Sequence, residues 1–352
     1  MRMGIAEMSA GWTVMAAAML STAVLAQEPD AKVKHGTPPL NRNRAEVMRF
    51  YEENVYGVRP DLKDFVKRAK VVAEEKAEAL NATKKVWEIN TMTPLGEKTF
   101  RAYGYFPKRE GRAPVFVYLH FNDPEQEHAR WPVKMILERG YATVSFCYND
   151  VVKDDAKVFD GIERKPDSWG AISAWALAAS RVVDVLVEEP AADAEKIAVV
   201  GLSRLGKTAL WAGATDTRIA YTVSNCSGCL GARLTTRNVR GETIDQITGK
   251  FPHWFALTCR AQFAGKDASL PFDQHWLLGT IADRLLAVGS AEDDWWACPS
   301  GEMAAWELSR EQWDARQNKQ NRSHYHFRRG GHDILPEDWA DYMDFAASHD
   351  WK

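Results

Sequence analysis

The segment KIAVVGLSRLGKTALWAGA, residues 196–214, decides the fold that this sequence predicts. Its first part is a short apolar, β-branched run, which is typical of a buried strand, and its second part repeats apolar residues at helical spacing. The turn between them contains Gly201 and Gly206, and glycine allows a chain to turn sharply. A buried strand that turns directly into a helix is the repeating unit of α/β folds.

The same alternation of strands and helices continues on both sides of this segment. We predict apolar strands at 114–121, 142–148, 219–225 and 284–291, and helices at 44–57, 168–189 and 300–313. Residues 86–94 and 98–107 predict an antiparallel pair joined through LGEK. Because strands that are apolar on both faces need helices on each side, we expect an α/β three-layer sandwich with a mainly parallel central sheet, formed by one domain over residues 43–352.

Charge and composition exclude some classes of function. The chain has 352 residues, with 45 Lys and Arg against 48 Asp and Glu, for a formal net charge of -3. A charge this small over a long chain supplies no extended basic surface, so we expect no nucleic-acid partner. The 14 Trp residues are numerous. Because indole rings pack in cores and also stack on ligands, they are candidate ligand contacts.

The first 26 residues have the features of a secretory signal. Arg2 precedes an apolar run from about Trp12 to Leu25, and Ala26 stands directly before a polar segment. The run is shorter than the roughly 20 residues that span a bilayer. We therefore predict a cleaved signal peptide rather than a membrane anchor, followed by an extended lead-in at 27–42. The expected protein is exported, periplasmic or secreted, and has no membrane partner.

The cysteines fit an exported protein only in part. They are Cys147, Cys226, Cys229, Cys259 and Cys298. An odd number leaves at least one thiol unpaired unless two chains are joined, and we expect buried thiols with up to one disulfide. The spacing Cys226-x-x-Cys229 would also suit a redox pair or half of a zinc site. The sequence has no second pair of this kind, and the pair follows a strand, so buried thiols are the preferred interpretation.

Ser203 lies in the turn between the central strand and its helix. A sharp turn of this kind would raise the serine oxygen above the sheet and point it at the amino end of the helix, as in the nucleophile elbow of a serine hydrolase. The common pattern G-x-S-x-G is altered here, because the second glycine is Gly206, one place late. From the turn alone, Ser203 is either a nucleophile or a helix cap.

A catalytic serine needs a base and an acid that orients the base. His332 follows a predicted strand near the end of the chain, and Glu292, Asp293 and Asp294 follow the strand at 284–291. The order Ser203, Asp294, His332 is the one that α/β hydrolases use. The alternatives are that the carboxylates solvate a loop or cap a helix, and that the histidine is an ordinary loop residue.

Two further histidines leave a metal site open as an alternative. His324 and His326 alternate on a predicted strand and therefore face the same side, and His332 and Asp333 follow them. Imidazole and carboxylate groups are common metal ligands. Ordinary strand packing explains the pair more simply, so we predict no metal site.

A series of motifs follows in order along the chain. They are GLSRLGKTALWAGA (201–214), SNCSG (224–228), FPHWF (251–255), LPFDQH (270–275), SAEDDWW (290–296) and GGHD (330–333). The series resembles that of the bacterial glucuronoyl esterases of carbohydrate esterase family 15, from about Arg44 to the end of the chain. The resemblance implies an α/β-hydrolase fold and cleavage of the ester between 4-O-methyl-glucuronic acid on xylan and a lignin alcohol. It implies no metal and no organic cofactor.

The resemblance also implies roles for the catalytic positions. Ser203 would be the nucleophile, His332 the base and Asp294 the acid. Arg204 would support the oxyanion alongside a backbone N–H, because a cation beside the serine stabilises negative charge on the carbonyl oxygen. Fungal members carry a glutamate acid where this chain has Cys226, so the acid role falls to Asp294. The fungal disulfide beside the serine and the histidine is absent from this sequence.

The resemblance implies a sugar site as well. Lys207 and Glu242 would bind hydroxyls of the uronic sugar, and Trp296 would line the site. Lys207 comes one helical turn after Ser203, so both can face one pocket. Four other tryptophans that lie on predicted helices are assigned to packing: Trp169, Trp175, Trp211 and Trp306.

We therefore expect a monomeric serine esterase that acts on glucuronoxylan or on a lignin–carbohydrate ester. A xylan acetyl or feruloyl esterase would need the same triad but no cation and carboxylate placed for a uronate, so Lys207 and Glu242 favour the first function. A non-catalytic carbohydrate-binding protein would use its tryptophans for stacking and leave Ser203 structural. The presence of Ser203, Asp294 and His332 argues against that class.

Overall fold

The computed structural model describes residues 37–351, apart from residues 40, 64, 126–127, 238–239 and 316–320. The predicted signal peptide and residues 27–36 of the predicted lead-in lie outside the described residues. The division of the chain at 26 and 42 stays a prediction.

A nine-stranded sheet forms the centre of the fold. Its strands are β1 (Ala69–Ala77), β2 (Ala82–Thr93), β3 (Gly96–Pro107), β4 (Ala113–His120), β5 (Ala142–Cys147), β6 (Ala192–Leu202), β7 (Tyr221–Asn225), β8 (Leu285–Ala291) and β9 (Ser323–Arg328). The order across the sheet is β1-β2-β3-β5-β4-β6-β7-β8-β9. Strands β1 to β3 run antiparallel to their neighbours, and the six strands β4 to β9 are joined to one another by parallel ladders. The mainly parallel sheet is confirmed.

The described residues form nine α-helices, several of which pack on the faces of this sheet. They are α1 (Arg44–Tyr51), α2 (Val133–Glu138), α3 (Ala171–Glu188), α4 (Arg204–Thr215), α5 (Ile244–Lys250), α6 (Leu257–Phe263), α7 (His275–Gly279), α8 (Pro299–Ala315) and α9 (Pro336–Ala347). Helix α1 continues as a π-helical turn, Glu52–Tyr56, and ends at Gly57 as predicted. Over the ranges described, no helix combines the length and apolarity needed to cross a bilayer.

The central strand β4 shows the two core layers most clearly. Val115 and Val117 belong to a buried cluster that includes α3, whereas Phe116 and Tyr118 belong to a second cluster that includes α9. Side chains that alternate along a strand point to opposite faces of the sheet, and all four of these are fully buried. The predicted three-layer sandwich is confirmed.

The antiparallel end of the sheet differs in detail from the prediction. The β2–β3 hairpin turns at Pro94 and Leu95, and the rest of LGEK belongs to β3, because β2 ends at Thr93 and β3 begins at Gly96. The Thr93 hydroxyl accepts from the Leu95 N–H at 3.1 Å and donates to the Gly96 carbonyl at 2.8 Å. Strand β1 was not predicted, since nearly all of its side chains are exposed and its sequence lacks an apolar face.

All five cysteines are buried and carry free thiols, in agreement with the preferred interpretation, and the single disulfide that it allowed does not form. Cys226 and Cys229 are close in sequence but belong to different core clusters. Burial raises the pKa of the Cys229 thiol to about 12, as expected of a packing residue.

The tryptophans assigned to packing are largely buried. Trp175 and Trp211 are fully buried, and their indole N–H groups donate to the Val152 carbonyl and the Ser173 hydroxyl, each at 3.0 Å. Trp169 is also buried but precedes α3, which begins at Ala171. These tryptophans therefore pack in the core of the protein.

Candidate active site

Ser203 occupies a strained turn between β6 and α4. Its backbone has φ 60° and ψ -125°, a conformation that residues with a side chain rarely adopt. Its N–H donates to the Asn225 carbonyl at 2.8 Å, which ties the turn to the end of β7. A Cβ at Gly201 would lie 1.9 Å from a carbonyl oxygen of α4, and one at Gly206 would lie 2.9 Å from the Cβ of Ser227. The displaced second glycine is therefore needed for close packing behind the serine.

His332 and Asp294 form a hydrogen bond across the end of the sheet. The distance from His332 Nδ1 to Asp294 Oδ2 is 2.6 Å. The Asp294 side chain is buried, whereas the His332 side chain is 42% exposed. Asp294 follows β8 and His332 follows β9, and the carboxyl ends of parallel strands meet at one edge of a sheet. Of the three successive carboxylates, the structure thus brings Asp294 to the histidine.

A buried ion pair holds the loop that carries His332. The Nε of Arg328, the last residue of β9, lies 3.0 and 2.9 Å from the carboxylate oxygens of Asp338 in α9. The Nη2 of Arg328 donates to the carbonyls of Gly331 at 3.0 Å and of Asp333 at 2.7 Å. These bonds fasten the backbone on both sides of His332. The sequence analysis missed this pair, because its partners belong to separate elements.

Arg204, the first residue of α4, lies against an aromatic wall. Its guanidinium carbon is 4.8 Å from the ring centre of Trp254. Trp254 is stacked on Phe251, with ring centres 3.8 Å apart and 2° between the planes. Burial lowers the pKa of the guanidinium below its ordinary value, but an arginine in a protein keeps its charge.

The carboxylate that pairs with Arg204 is Asp154, a second residue that the sequence analysis missed. Asp154 also accepts hydrogen bonds from the Tyr148 hydroxyl at 2.8 Å, His253 Nε2 at 2.8 Å and Trp254 Nε1 at 2.6 Å. Burial lowers the pKa of His253 to about 4, so this imidazole is neutral near pH 7. The positive charge that Asp154 balances is therefore that of Arg204. In the sequence, Asp154 is one of several aspartates in loops, and no pattern distinguishes it from the others.

Lys207 and Glu242 bring buried charge to the site. Both residues are nearly inaccessible to solvent. Lys207 Nζ donates to the Ser227 carbonyl. Burial lowers the pKa of Lys207, and the charge of Glu242 acts in the opposite direction. The Glu242 N–H donates to the Trp296 carbonyl at 3.0 Å, which joins the two predicted sugar contacts.

One cavity of about 350 Å³ brings the predicted residues together. All seven line it: Ser203, Arg204, Lys207, Glu242, Asp294, Trp296 and His332. Lys250, Phe251 and Trp254 complete its walls together with the segment after β7. Trp296 is 52% exposed, so its ring is available to a ligand. Trp295 is equally exposed but lies outside the lining, with the guanidinium of Arg240 5.6 Å from its ring centre.

Glu302 of α8 is a buried carboxyl group near this cavity, and it too was missed. It accepts from the Gly228 N–H at 2.8 Å and from the Ser290 hydroxyl at 2.5 Å. Burial raises its pKa to about 7. Its spacing from Ala305 and Ser309 could have placed it on the buried face of α8, since all three are fully buried.

The alternative metal cluster on β9 does not assemble. His324 Nε2 lies 2.7 Å from Asp341 and His326 Nε2 lies 2.9 Å from Asp338, both on α9. His332 is bonded to Asp294 instead. The two strand histidines therefore attach α9 to the sheet.

Comparison with known proteins shows where this arrangement recurs. The family model described as "Glucuronyl esterase, fungi" matches residues 97–316. A carbohydrate esterase from an unknown prokaryotic organism is 38% identical over 245 residues, which cover 62% of this chain and 56% of that protein. The chain spans about half or less of the length of the curated relatives that it matches.

Solved structures share the fold over more of their length. A glucuronoyl esterase from Solibacter usitatus is 30% identical with a TM-score of 0.79, over 88% of this chain and 92% of that one. A promiscuous CE15 esterase from the marine bacterial metagenome is 29% identical with a TM-score of 0.81, over 92% and 98%. The fold is thus the predicted α/β-hydrolase fold. The family model matches more than half of the chain, and we therefore conclude that the chain belongs to the glucuronyl esterase family.

Proposed function

We propose that this protein is a serine esterase that hydrolyses esters of glucuronic or 4-O-methyl-glucuronic acid, such as those that join lignin to glucuronoxylan. The observation that carries the proposal is one cavity lined by the serine, the histidine–aspartate pair, three cationic side chains and the carboxylate of Glu242. Family membership and the similarity to a Solibacter usitatus glucuronoyl esterase support the same substrate class. The geometry requires no cofactor for this reaction.

Ser203 attacks the ester carbonyl in the proposed mechanism, and His332 accepts its hydroxyl proton. Asp294 holds the Nδ1 side of the imidazole at 2.6 Å and stabilises the imidazolium that forms. His332 then donates the proton to the departing alcohol, which leaves an acyl-enzyme at Ser203. Water, deprotonated by His332, releases the uronic acid and restores the serine.

Arg204 would stabilise the oxyanion that develops during both steps. It follows the nucleophile directly, at the amino end of α4, where unpaired backbone N–H groups also favour negative charge. Asp154 and the ring of Trp254 hold its guanidinium in place before substrate arrives. A donor that is already fixed needs little reorganisation during the reaction.

Lys207, Glu242 and Trp296 would recognise the sugar. A buried ammonium and a buried carboxylate can donate to and accept from ring hydroxyls, and their orientation is restricted by burial. The exposed face of Trp296 offers a surface against which a sugar ring can pack. These groups favour a uronate over an acetyl or feruloyl ester.

The test is a comparison of kcat/KM for benzyl glucuronate and p-nitrophenyl acetate. We expect a strong preference for the glucuronate, which Ser203→Ala abolishes. Comparable rates on both esters would favour an acetyl or feruloyl esterase; the marine bacterial relative is a promiscuous esterase. Absence of both activities, with no labelling of Ser203 by a serine-directed reagent, would favour a non-catalytic carbohydrate-binding protein.

We propose further that the enzyme is exported and acts as a monomer. Export is supported by the arrangement of Arg2, the apolar run and Ala26, with cleavage after residue 26, a lead-in over 27–42 and a catalytic domain over 43–352. Sequencing the amino terminus of the secreted or periplasmic protein tests the cleavage site. Light scattering tests the monomer.

A further inference from the structure

One thiol stands beside the histidine–aspartate pair without a role in the proposed mechanism. The Sγ of Cys226, a carboxylate oxygen of Asp294 and an imidazole nitrogen of His332 all lie within 4.8 Å of one another. Over the part of the chain that the structure describes, these three residues form the one group of three or more potential ligands gathered so closely. All three also line the cavity.

The backbone places this thiol firmly. Cys226 is the first residue after β7, and its φ of 48° turns the chain away from the strand direction. Its N–H donates to the Gly289 carbonyl in β8 at 2.7 Å. The sulfur accepts a hydrogen bond from Asn225 Nδ2 at 3.4 Å and donates to the Asp333 carbonyl at 3.9 Å. Sulfur is a weak donor and a weak acceptor, so the backbone bonds hold this residue more firmly than the bonds at its sulfur.

The three ligand types suit zinc. Zinc bonds of roughly 2.3 Å to sulfur and roughly 2.0 Å to nitrogen or oxygen place tetrahedral ligands roughly 3.3–3.7 Å apart. His332 Nδ1 and Asp294 Oδ2 lie 2.6 Å apart, which is shorter than that range, and the Sγ of Cys226 lies within 4.8 Å of both groups. Binding therefore requires the three side chains to adjust around the ion. The cavity of about 350 Å³ leaves the fourth position open to water.

We propose that Cys226, Asp294 and His332 form an inhibitory binding site for Zn²⁺. Coordination at Nδ1 releases the thiol proton to solvent, the single imidazole proton of His332 moves to Nε2, and water occupies the fourth position. A histidine and an aspartate that hold a dication can no longer stabilise an imidazolium, so the base is disabled. The binding is independent of the proposed esterase function, whereas the inhibition rests on it.

Binding is tested on the chain lacking residues 1–26 by calorimetric titration with Zn²⁺ and by absorption spectra with Co²⁺. We expect one site per chain and a thiolate-to-cobalt charge-transfer band. Cys226→Ser should remove the band and weaken Zn²⁺ binding by about tenfold or more. Cys259→Ser, which removes a buried thiol far from the group in sequence and outside the cavity lining, is the matched control and should bind as wild type.

A second variant keeps the test valid if Cys226→Ser fails to fold. His332 is partly exposed, so His332→Ala should keep the fold and also lose the site. Zn²⁺ binding that neither variant weakens, or no binding by the wild type below millimolar concentration, would overturn the proposal.

Activity assays separate this site from the proposed function. With benzyl glucuronate, Zn²⁺ should inhibit the wild type reversibly, chelator should restore its rate, and Cys226→Ser should resist when compared with its own zinc-free rate. A chain that binds Zn²⁺ through Cys226 but hydrolyses no ester would refute the esterase and leave the site standing. If the chain hydrolyses the ester but shows no thiolate-to-cobalt charge-transfer band with Co²⁺, the metal site is refuted and the esterase function is not.

Discussion

Replacing Asp154 by asparagine tests whether a buried carboxylate positions the proposed oxyanion residue. The Asp154 side chain is 6% exposed and accepts from four donors, one of them the Arg204 guanidinium. Asparagine keeps one acceptor oxygen but turns an NH₂ group toward N–H and O–H donors. Arg204 then loses its counter-charge within a partly desolvated site.

The structure sets the size of the expected effect. Breaking a buried ion pair costs about 3–5 kcal/mol. The Arg204 side chain is 27% exposed to solvent. We therefore expect the free energy of unfolding to fall by the lower part of this range, about 3 kcal/mol. This corresponds to a melting temperature lower by roughly 5–10 °C. Loss of an oxyanion donor lowers kcat by about 10²–10³, so a misplaced Arg204 should lower kcat by about 10–100-fold with little change in KM.

A double-mutant cycle with benzyl glucuronate distinguishes positioning from general destabilisation. Asp154→Asn should lower kcat in the wild-type background and change it little in an Arg204→Ala background, because residues that act as one unit are not additive. Measurements well below the melting temperature of every variant remove the stability effect. Unchanged kcat in Asp154→Asn, or fully additive losses in the double variant, would refute the positioning role.

Three further predictions follow from other contacts. Ser203→Ala should remove nearly all turnover while circular dichroism and the melting temperature stay close to wild type; residual activity near wild type would exclude the acyl-enzyme. Asp294→Ala should lower kcat far more than Cys226→Ala, because only a carboxylate stabilises the charged base; the reverse order would move the acid elsewhere. Burial by itself would lower the pKa of His326, but its bonds to Asp338 and Asp341 raise it to about 9. The charged pair therefore stabilises the fold fully below about pH 6.5 and loses its effect as the pH rises through about 9, so His326→Gln should lower the free energy of unfolding by about 3 kcal/mol near pH 6 and by much less near pH 10. Equal losses in urea unfolding at both pH values would contradict this.

Local patterns in the sequence predicted the main sheet well. The strands β4 to β8 were predicted because each contains a short run, rich in apolar and β-branched residues, that is buried on both faces. Periodicity reports the average surroundings of a segment. It fails for β1, whose surroundings are solvent on both sides.

The candidate site was predicted as a list of residues rather than as a set of contacts. Chain order placed Ser203, Asp294 and His332 at strand ends, and the motifs added the cationic and aromatic neighbours. The choice among Glu292, Asp293 and Asp294 needed the path of the loop after β8, on which the 2.6 Å bond to His332 depends.

The amino-acid sequence by itself determined the α/β layering and the serine turn, since these depend on patterns within a few residues, and the resemblance of its motifs to a known family supplied the residues around that turn. Only the tertiary structure decided that Asp154 pairs with Arg204, that Arg328 donates to the backbone on both sides of His332, and that the five thiols stay free. Each of these contacts joins segments that are distant in sequence or depends on the direction in which a side chain leaves the backbone. Such contacts arise from the packing of the strands and loops, and a one-dimensional pattern does not contain them.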